Sequence, residues 1–115
     1  MNLDEYQRAA LRTLNPALDD RERLLDAAMG LSEEAAEVLG LVRKRVFQRR
    51  DVDAARLSEE LGDVLWCLAV TAHALGLSLD GVAQANQAKL AARHPEGFKP
   101  PRPRGPEDWS RSHRE

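Results

Sequence analysis

Apolar residues recur at helical spacing in four stretches of the chain, and no β-rich stretch competes with them. Leu3, Tyr6, Ala10 and Leu14 share one side of a first helix, from Asp4 to about Leu14, which Pro16 ends. Asn15 to Asp20 then read as a connection. A second, long helix starts near Asp19 or Asp20 and continues to about Gln48, with Gly30 and Gly40 as weak points. Its stripe is Leu24, Ala28, Leu31, Ala35, Val38, Leu39, Val42 and Val46. Asp53 is suited to cap a third helix that runs to about Leu75, with Gly76 as the residue just past its end. Leu57, Leu61, Val64, Leu65, Leu68, Ala72 and Leu75 form that helix's stripe. Ser78 caps a fourth helix, Leu79 to Arg93, which Pro95 and Gly97 terminate. Short links at 51–53 and 76–78 predict antiparallel neighbours. The expected architecture is therefore all-α, a four-helix subunit.

At 115 residues the chain supports one domain, and its 43% hydrophobic but 4% aromatic composition suits packed Ala, Leu and Val helices. A single layer of four helices leaves apolar surface for a second subunit, so a homodimer or a dimer of dimers (a homotetramer) is expected. Trp66, on the side of the third helix away from Leu61 and Leu68, is placed at that subunit interface. One cysteine, Cys67, excludes an internal disulfide and fits a reducing cytoplasm. Residues 1–15 lack the continuous apolar core of a signal peptide, and the longest apolar run, Val64 to Val70, is far short of the ~20 residues of a membrane helix. Residues 99–115 hold five basic and three acidic side chains, so the net −2 of the chain leaves −4 on residues 1–98. An acidic body disfavours nucleic acid as a partner. The tail, with four of the six prolines, resists helix and sheet alike and is expected to be flexible, unless Trp109 docks it.

Charge patterning changes the picture most in the two long helices. Glu33, Glu34 and Glu37 lie on the second, and Glu59, Glu60 and Asp63 on the third. Each residue advances about 100° around a helix, so in both sets the third acid falls between the first two. A solvated acidic face is usually balanced by Lys or Arg four residues on. Here Val38, Leu41, Val64 and Cys67 follow Glu34, Glu37, Glu60 and Asp63 at that spacing, while Glu33 and Glu59 meet Glu37 and Asp63. Glu34 also sits in a row with Ala27, Leu31, Val38 and Leu41, and Glu60 in one with Leu57, Val64 and Cys67. A carboxylate pressed into apolar surface must protonate, pair or bind a cation.

A divalent cation is the simplest way to hold four or five carboxylates together. Oxygen-only ligands suit a hard ion, Mg²⁺ with Mn²⁺ as a substitute. The single cysteine and the spacing of His73, His94 and His113 argue against zinc, and no Glu-x-x-His pair suggests a di-iron bundle. Carboxylate-held Mg²⁺ commonly keeps positions open for substrate phosphates, which points to phosphoanhydride chemistry.

The run Glu33-Glu34-Ala35-Ala36-Glu37 followed by Glu60-Leu61-Gly62-Asp63 resembles the EExxE…ExxD signature of the MazG-type nucleoside triphosphate pyrophosphohydrolases, in the all-α NTP pyrophosphatase superfamily. Asn86 to Phe98 is similar to a segment that many short members carry after their last helix, and the resemblance covers about residues 3 to 98. It implies one catalytic domain over residues 1–98, with Glu34, Glu37, Glu60 and Asp63 as ligands of Mg²⁺ and Glu33 as general base or further ligand. It implies a (deoxy)nucleoside triphosphate substrate, split to the monophosphate and pyrophosphate. Some related enzymes carry a base-stacking aromatic where this chain has Cys67, a departure that bears on base selectivity.

Several polar residues are candidates for holding the substrate, each with a plainer alternative. Lys44 reaches a phosphate or base, or else complements the helix macrodipole together with Arg43 and Arg45. Asn86, Lys89 and Arg93 share one face at i, i+3 and i+7, either as a polar surface or as a substrate-binding face on which Lys89 and Arg93 supply the cations a triphosphate needs. Gln7 is an exposed amide or, as the resemblance suggests, a nucleotide contact. His73 reads as a surface or packing residue. Two other functions stay open: a phosphoribosyl-ATP pyrophosphohydrolase sharing the metal motif, and a metal-stabilised helical regulator without turnover.

Overall fold

The computed structural model describes residues 1–101 and 105. Among these the chain forms α1 (Leu3–Leu11), α2 (Asp20–Val46), α3 (Ala54–Ala74) and α4 (Leu79–Arg93), with no strand beyond an isolated bridge between Pro95 and Gly97. Nearly all of the expected tail, including Trp109 and His113, lies outside the described residues. No single helix among them is long and apolar enough to cross a membrane. The chain divides into two units, the first spanning Met1–Ala85 and the second beginning at Asn86.

Local chemistry sets the helix ends. Asn2 caps α1 by accepting from Glu5 N–H at 2.8 Å. The helix ends at Leu11 rather than Leu14 because its last turn tightens: Arg12, Thr13 and Leu14 N–H groups bond three residues back instead of four. At α2, Asp19 and Glu22 form a reciprocal capping box, 2.8 and 3.1 Å. Asp53 caps α3 through Ala55 N–H at 2.8 Å. The other end of α3 closes with a Schellman motif around Gly76, whose φ of 74° favours glycine: Gly76 N–H bonds His73 C=O and Leu77 N–H bonds Ala72 C=O. Ser78 caps α4 by accepting from Gly81 N–H at 2.9 Å.

Within the first unit α2 and α3 pack along one another, and α1 packs against α3. The inner row of α2 is Leu24, Ala27, Leu31, Glu34, Val38 and Leu41, with Ala27 buried and the rest half-buried. Close approach is built in at Gly30, where a Cβ would stand 3.0 Å from Cys67 Sγ. A second cluster, Ala10, Ala69 and Leu79 with Leu3, Tyr6, Leu65 and Trp66 around it, joins α1 to α3 and the start of α4.

Three expectations change here. Leu61, Leu68 and Leu75 are 55%, 38% and 57% exposed, and Leu39, Val42 and Val46 on α2 are exposed as well. The C-terminal half of α3, from Val64, is apolar nearly all round, and its buried arc runs through Cys67, Val70, Ala69 and Ala72, small residues that let two neighbours approach. Trp66 packs within the subunit against α1, its indole N–H donating to Thr13 Oγ1 at 2.8 Å. Gln7 is buried, and its amide ties three strands of backbone: Nε2 donates to Ala69 C=O and Leu77 C=O at 3.1 Å each, and Oε1 accepts from Leu79 N–H at 3.0 Å.

The second unit is an exposed half-helix and the turn that follows it. Gly97, at φ 84°, bonds His94 C=O through its N–H, and the His94 and Phe98 rings lie 5.9 Å apart.

Gln7→Ala leaves the buried Leu79 N–H and the Leu77 carbonyl without their partner, each uncompensated group costing about 1–3 kcal/mol. The expected result in urea denaturation is a loss on the order of 2 kcal/mol or more; an unchanged midpoint would show that the amide is not a structural tie.

Candidate functional site

Glu34 reaches its place because the inner row of α2 advances by alternating steps of three and four residues, so a carboxylate at that position faces α3 along with its apolar neighbours. Glu60 and Asp63, one turn apart on α3, share a face. Where the helices meet, one ligand oxygen from each of Glu34, Glu60 and Asp63 lies within 4.8 Å of the others. Glu60 is buried, Glu34 half-buried and Asp63 exposed, which gives the cluster one open side.

This proximity shows in the proton affinity of Glu34. Its carboxyl is held above the ordinary carboxylate range, first by a hydrogen bond with Glu60, then by desolvation, then by the charges of Asp63, Glu60 and Glu37. Two carboxylates can hydrogen bond only if one keeps a proton, and like charges this close resist ionising together. Glu60 carries a second compensation: Arg56 Nη2 lies 3.3 Å from its Oε1.

Two further groups line the cluster. Cys67 is buried, and its thiol is pushed up by burial, then by Glu34, Asp63, Asp26 and Glu33. The Tyr6 phenol is likewise raised, by burial and then by Asp63 and Cys67. Of the expected ligands, Glu34, Glu60 and Asp63 come together. Glu37 stands outside the triad as an exposed charge near Glu34, and Glu33 is exposed on the same helix. Lys44 is exposed near the end of α2, and Asn86, Lys89 and Arg93 are exposed on one face of α4 in the second unit. His73, expected at the surface, is exposed and lines a cavity of about 190 Å³ with Asp20, Arg23 and Ala74.

Arg56 and Tyr6 are the residues the sequence reading did not place here. Arg56 precedes Glu60 by four residues, so the i+4 position after each acid does not include it. Tyr6 reads as part of an apolar stripe, and only the packing of α1 brings its phenol toward Asp63.

The triad fits a hard divalent cation. Its donors are all carboxylate oxygens, and the neighbouring thiol keeps its proton. The raised proton affinity of Glu34 marks mutual repulsion among the carboxylates, which a bound cation would relieve.

An all-α hairpin with carboxylates converging from its two long helices defines the class. The chain belongs to the MazG nucleotide pyrophosphohydrolase domain family, whose model matches residues 24–98. It is also 37% identical over 105 residues to the "Gene 37 protein" of Mycobacterium phage L5, covering 84% of this chain and 92% of that protein. No solved structure matches it with significance. Membership implies nucleotide pyrophosphohydrolase activity, and it accounts for acids on both α2 and α3, which lie within the matched residues.

A group whose proton affinity rises on folding adds stability at low pH that is lost as the pH rises through its folded value. For Glu34 the window opens at its ordinary value of 4.5 and extends upward. In EDTA, the melting temperature of the wild type should fall relative to that of Glu34→Gln as the pH rises from 4.5. Parallel curves would show that Glu34 is not under this strain.

Proposed function

We propose that the chain hydrolyses a nucleoside triphosphate, a deoxynucleotide in the first instance, between its α and β phosphates, releasing the monophosphate and pyrophosphate. The observation that carries this reading is the convergence of Glu34, Glu60 and Asp63 in a member of a pyrophosphohydrolase family. Glu37, one turn beyond Glu34, joins them in holding Mg²⁺ or its substitute Mn²⁺. When bound, that ion supplies charge neutralisation at the phosphates. Glu33, exposed beside the cluster, accepts the proton of the attacking water. Lys44, Lys89 and Arg93 provide the positive charge that a triphosphate requires beyond one divalent cation, and Asn86 adds a neutral amide contact. Gln7 is left out of this set, because its amide is engaged with Ala69, Leu77 and Leu79. The substrate places the reaction in the cytoplasm.

A second copy of the chain covers the outer face of the hairpin in this reading. Leu61, Leu68 and Leu75 are exposed at seven-residue spacing on α3, and Leu25, Leu39 and Val46 stand exposed at multiples of seven on α2. Such seams pack as bundles, and a self-complementary seam favours a closed dimer, or a dimer of dimers.

Two measurements test these statements. With each common NTP and dNTP and Mg²⁺, ³¹P NMR should show pyrophosphate and the monophosphate, and EDTA should stop it. Glu60→Gln or Asp63→Asn should lower turnover by more than about 100-fold, since even partners of metal ligands are worth 10–100-fold, with helicity intact by circular dichroism. Wild-type turnover in either variant removes the metal site, and orthophosphate with the diphosphate indicates a different bond cleaved. Light scattering after size exclusion should report at least a dimer, which Leu39→Glu with Leu68→Glu reduces to a monomer; a monomeric wild type ends the assembly reading.

A further inference from the structure

Arg56 stands where a helix least favours a cation. It is the third residue of α3, whose first turn contains no acid, and the positive end of the macrodipole opposes a guanidinium there. Its pairing with Glu60 also runs in the weaker sense, base before acid at i,i+4. Helix stability therefore does not explain the residue. What it faces does: Glu60 is the most buried carboxylate of the triad, its side chain 11% exposed, and the Arg56 guanidinium lies 3.3 Å from Oε1 while its own side chain stays 55% exposed.

We infer that Arg56 is an exchangeable counter-ion of the carboxylate triad, holding Glu60 while the divalent cation is absent and turning to the polyphosphate of the nucleotide once that cation takes the carboxylate. The inference rests on the metal-site reading given above. Three features support the exchange. A guanidinium so near Glu60 and a divalent cation on the same carboxylate repel each other, so binding of one loosens the other. The pair is mostly in solvent on the arginine side, and ion pairs of that kind are weak enough to open. The freed guanidinium has a planar fork of donors suited to two phosphate oxygens, and the open side of the triad is where a nucleotide's phosphates must arrive. Among the described residues no other Lys, Arg or His is paired with Glu34, Glu60 or Asp63.

The test compares wild type, Arg56→Gln and Arg56→Lys, with folding checked by circular dichroism. Binding of Mn²⁺ alone is read from the electron paramagnetic resonance signal of the free ion, without nucleotide. Removing a competing ion pair should tighten Mn²⁺ binding by about two- to fivefold in Arg56→Gln, the range expected for a partly exposed pair. Binding of a non-hydrolysable nucleoside triphosphate to the Mn²⁺-loaded protein, by calorimetry, should weaken roughly tenfold, as for loss of a charge-assisted hydrogen bond. Arg56→Lys should keep Mn²⁺ binding near wild type and recover the nucleotide in part, because it retains the charge but not the fork. Unchanged or weaker Mn²⁺ binding in Arg56→Gln overturns the counter-ion role, and unchanged nucleotide binding overturns the phosphate role. Absence of Mn²⁺ binding in the wild type as well overturns the metal-site reading beneath both.

Discussion

Everything in the first unit depends on bringing three carboxylates from two helices to one point against their mutual repulsion. The close packing of α2 on α3 supplies the constraint. Gly30 lies close enough to Cys67 that a methyl group would meet its sulfur at 3.0 Å, and Ala27 is buried in the same seam. Larger side chains there would push the helices toward the wider end of the usual 8–10 Å separation and draw Glu34 away from Glu60 and Asp63. The remaining repulsion is met locally, by a raised proton affinity at Glu34 and by Arg56 on Glu60. Both compensations are ones that a divalent cation can replace.

Helix α1 contributes from the other side. Gln7 joins α3 to the start of α4 by bonding Ala69, Leu77 and Leu79, and Trp66 fastens α3 to Thr13. The face of α3 that carries Glu60 and Asp63 is thereby fixed with respect to α1, which sets Tyr6 toward Asp63 and Cys67. A buried amide that uses both ends on backbone groups is more directional than an apolar contact, and it holds the rotation of α3 as well as its position.

Helix ends were legible in the sequence because capping is local chemistry. Asp53, Gly76 and Ser78 act where the reading put them, and the second helix starts at Asp20 as its pattern predicted. The inward position of Glu34 was also legible, because one row of α2 contains it with Ala27, Leu31, Val38 and Leu41. What a single helix pattern does not contain is the number of its neighbours. Helix α3 serves α1 and α2 with its small residues and turns Leu61 and Leu68 outward, so part of a stripe chosen by side-chain size lands on the outer arc. Trp66 and Gln7 were misplaced for the same reason, since their partners lie 53 and 62 to 72 residues away. Of the acids in the motif, Glu34, Glu60 and Asp63 converge on one point, and Glu33 and Glu37 stand exposed beside them on α2.

The two demands on this hairpin, close approach and sufficient burial, fall on opposite faces. Small residues along the inner seam let carboxylates meet, but they bury little apolar area: Val70 is the only larger side chain that is fully enclosed among the described residues. Leucine, which would bury more, stands on the outer arc at Leu39, Leu61 and Leu68. A subunit built this way gains its site from what it leaves out of its own core. A cover on the outer face would add the missing burial, at about 25 cal/mol for each Å² removed from water. If that cover is a second copy, as proposed, assembly and metal-site geometry are coupled through the thickness of a single helix. A change on the outer arc of α3 then reaches Glu60 and Asp63 without touching either.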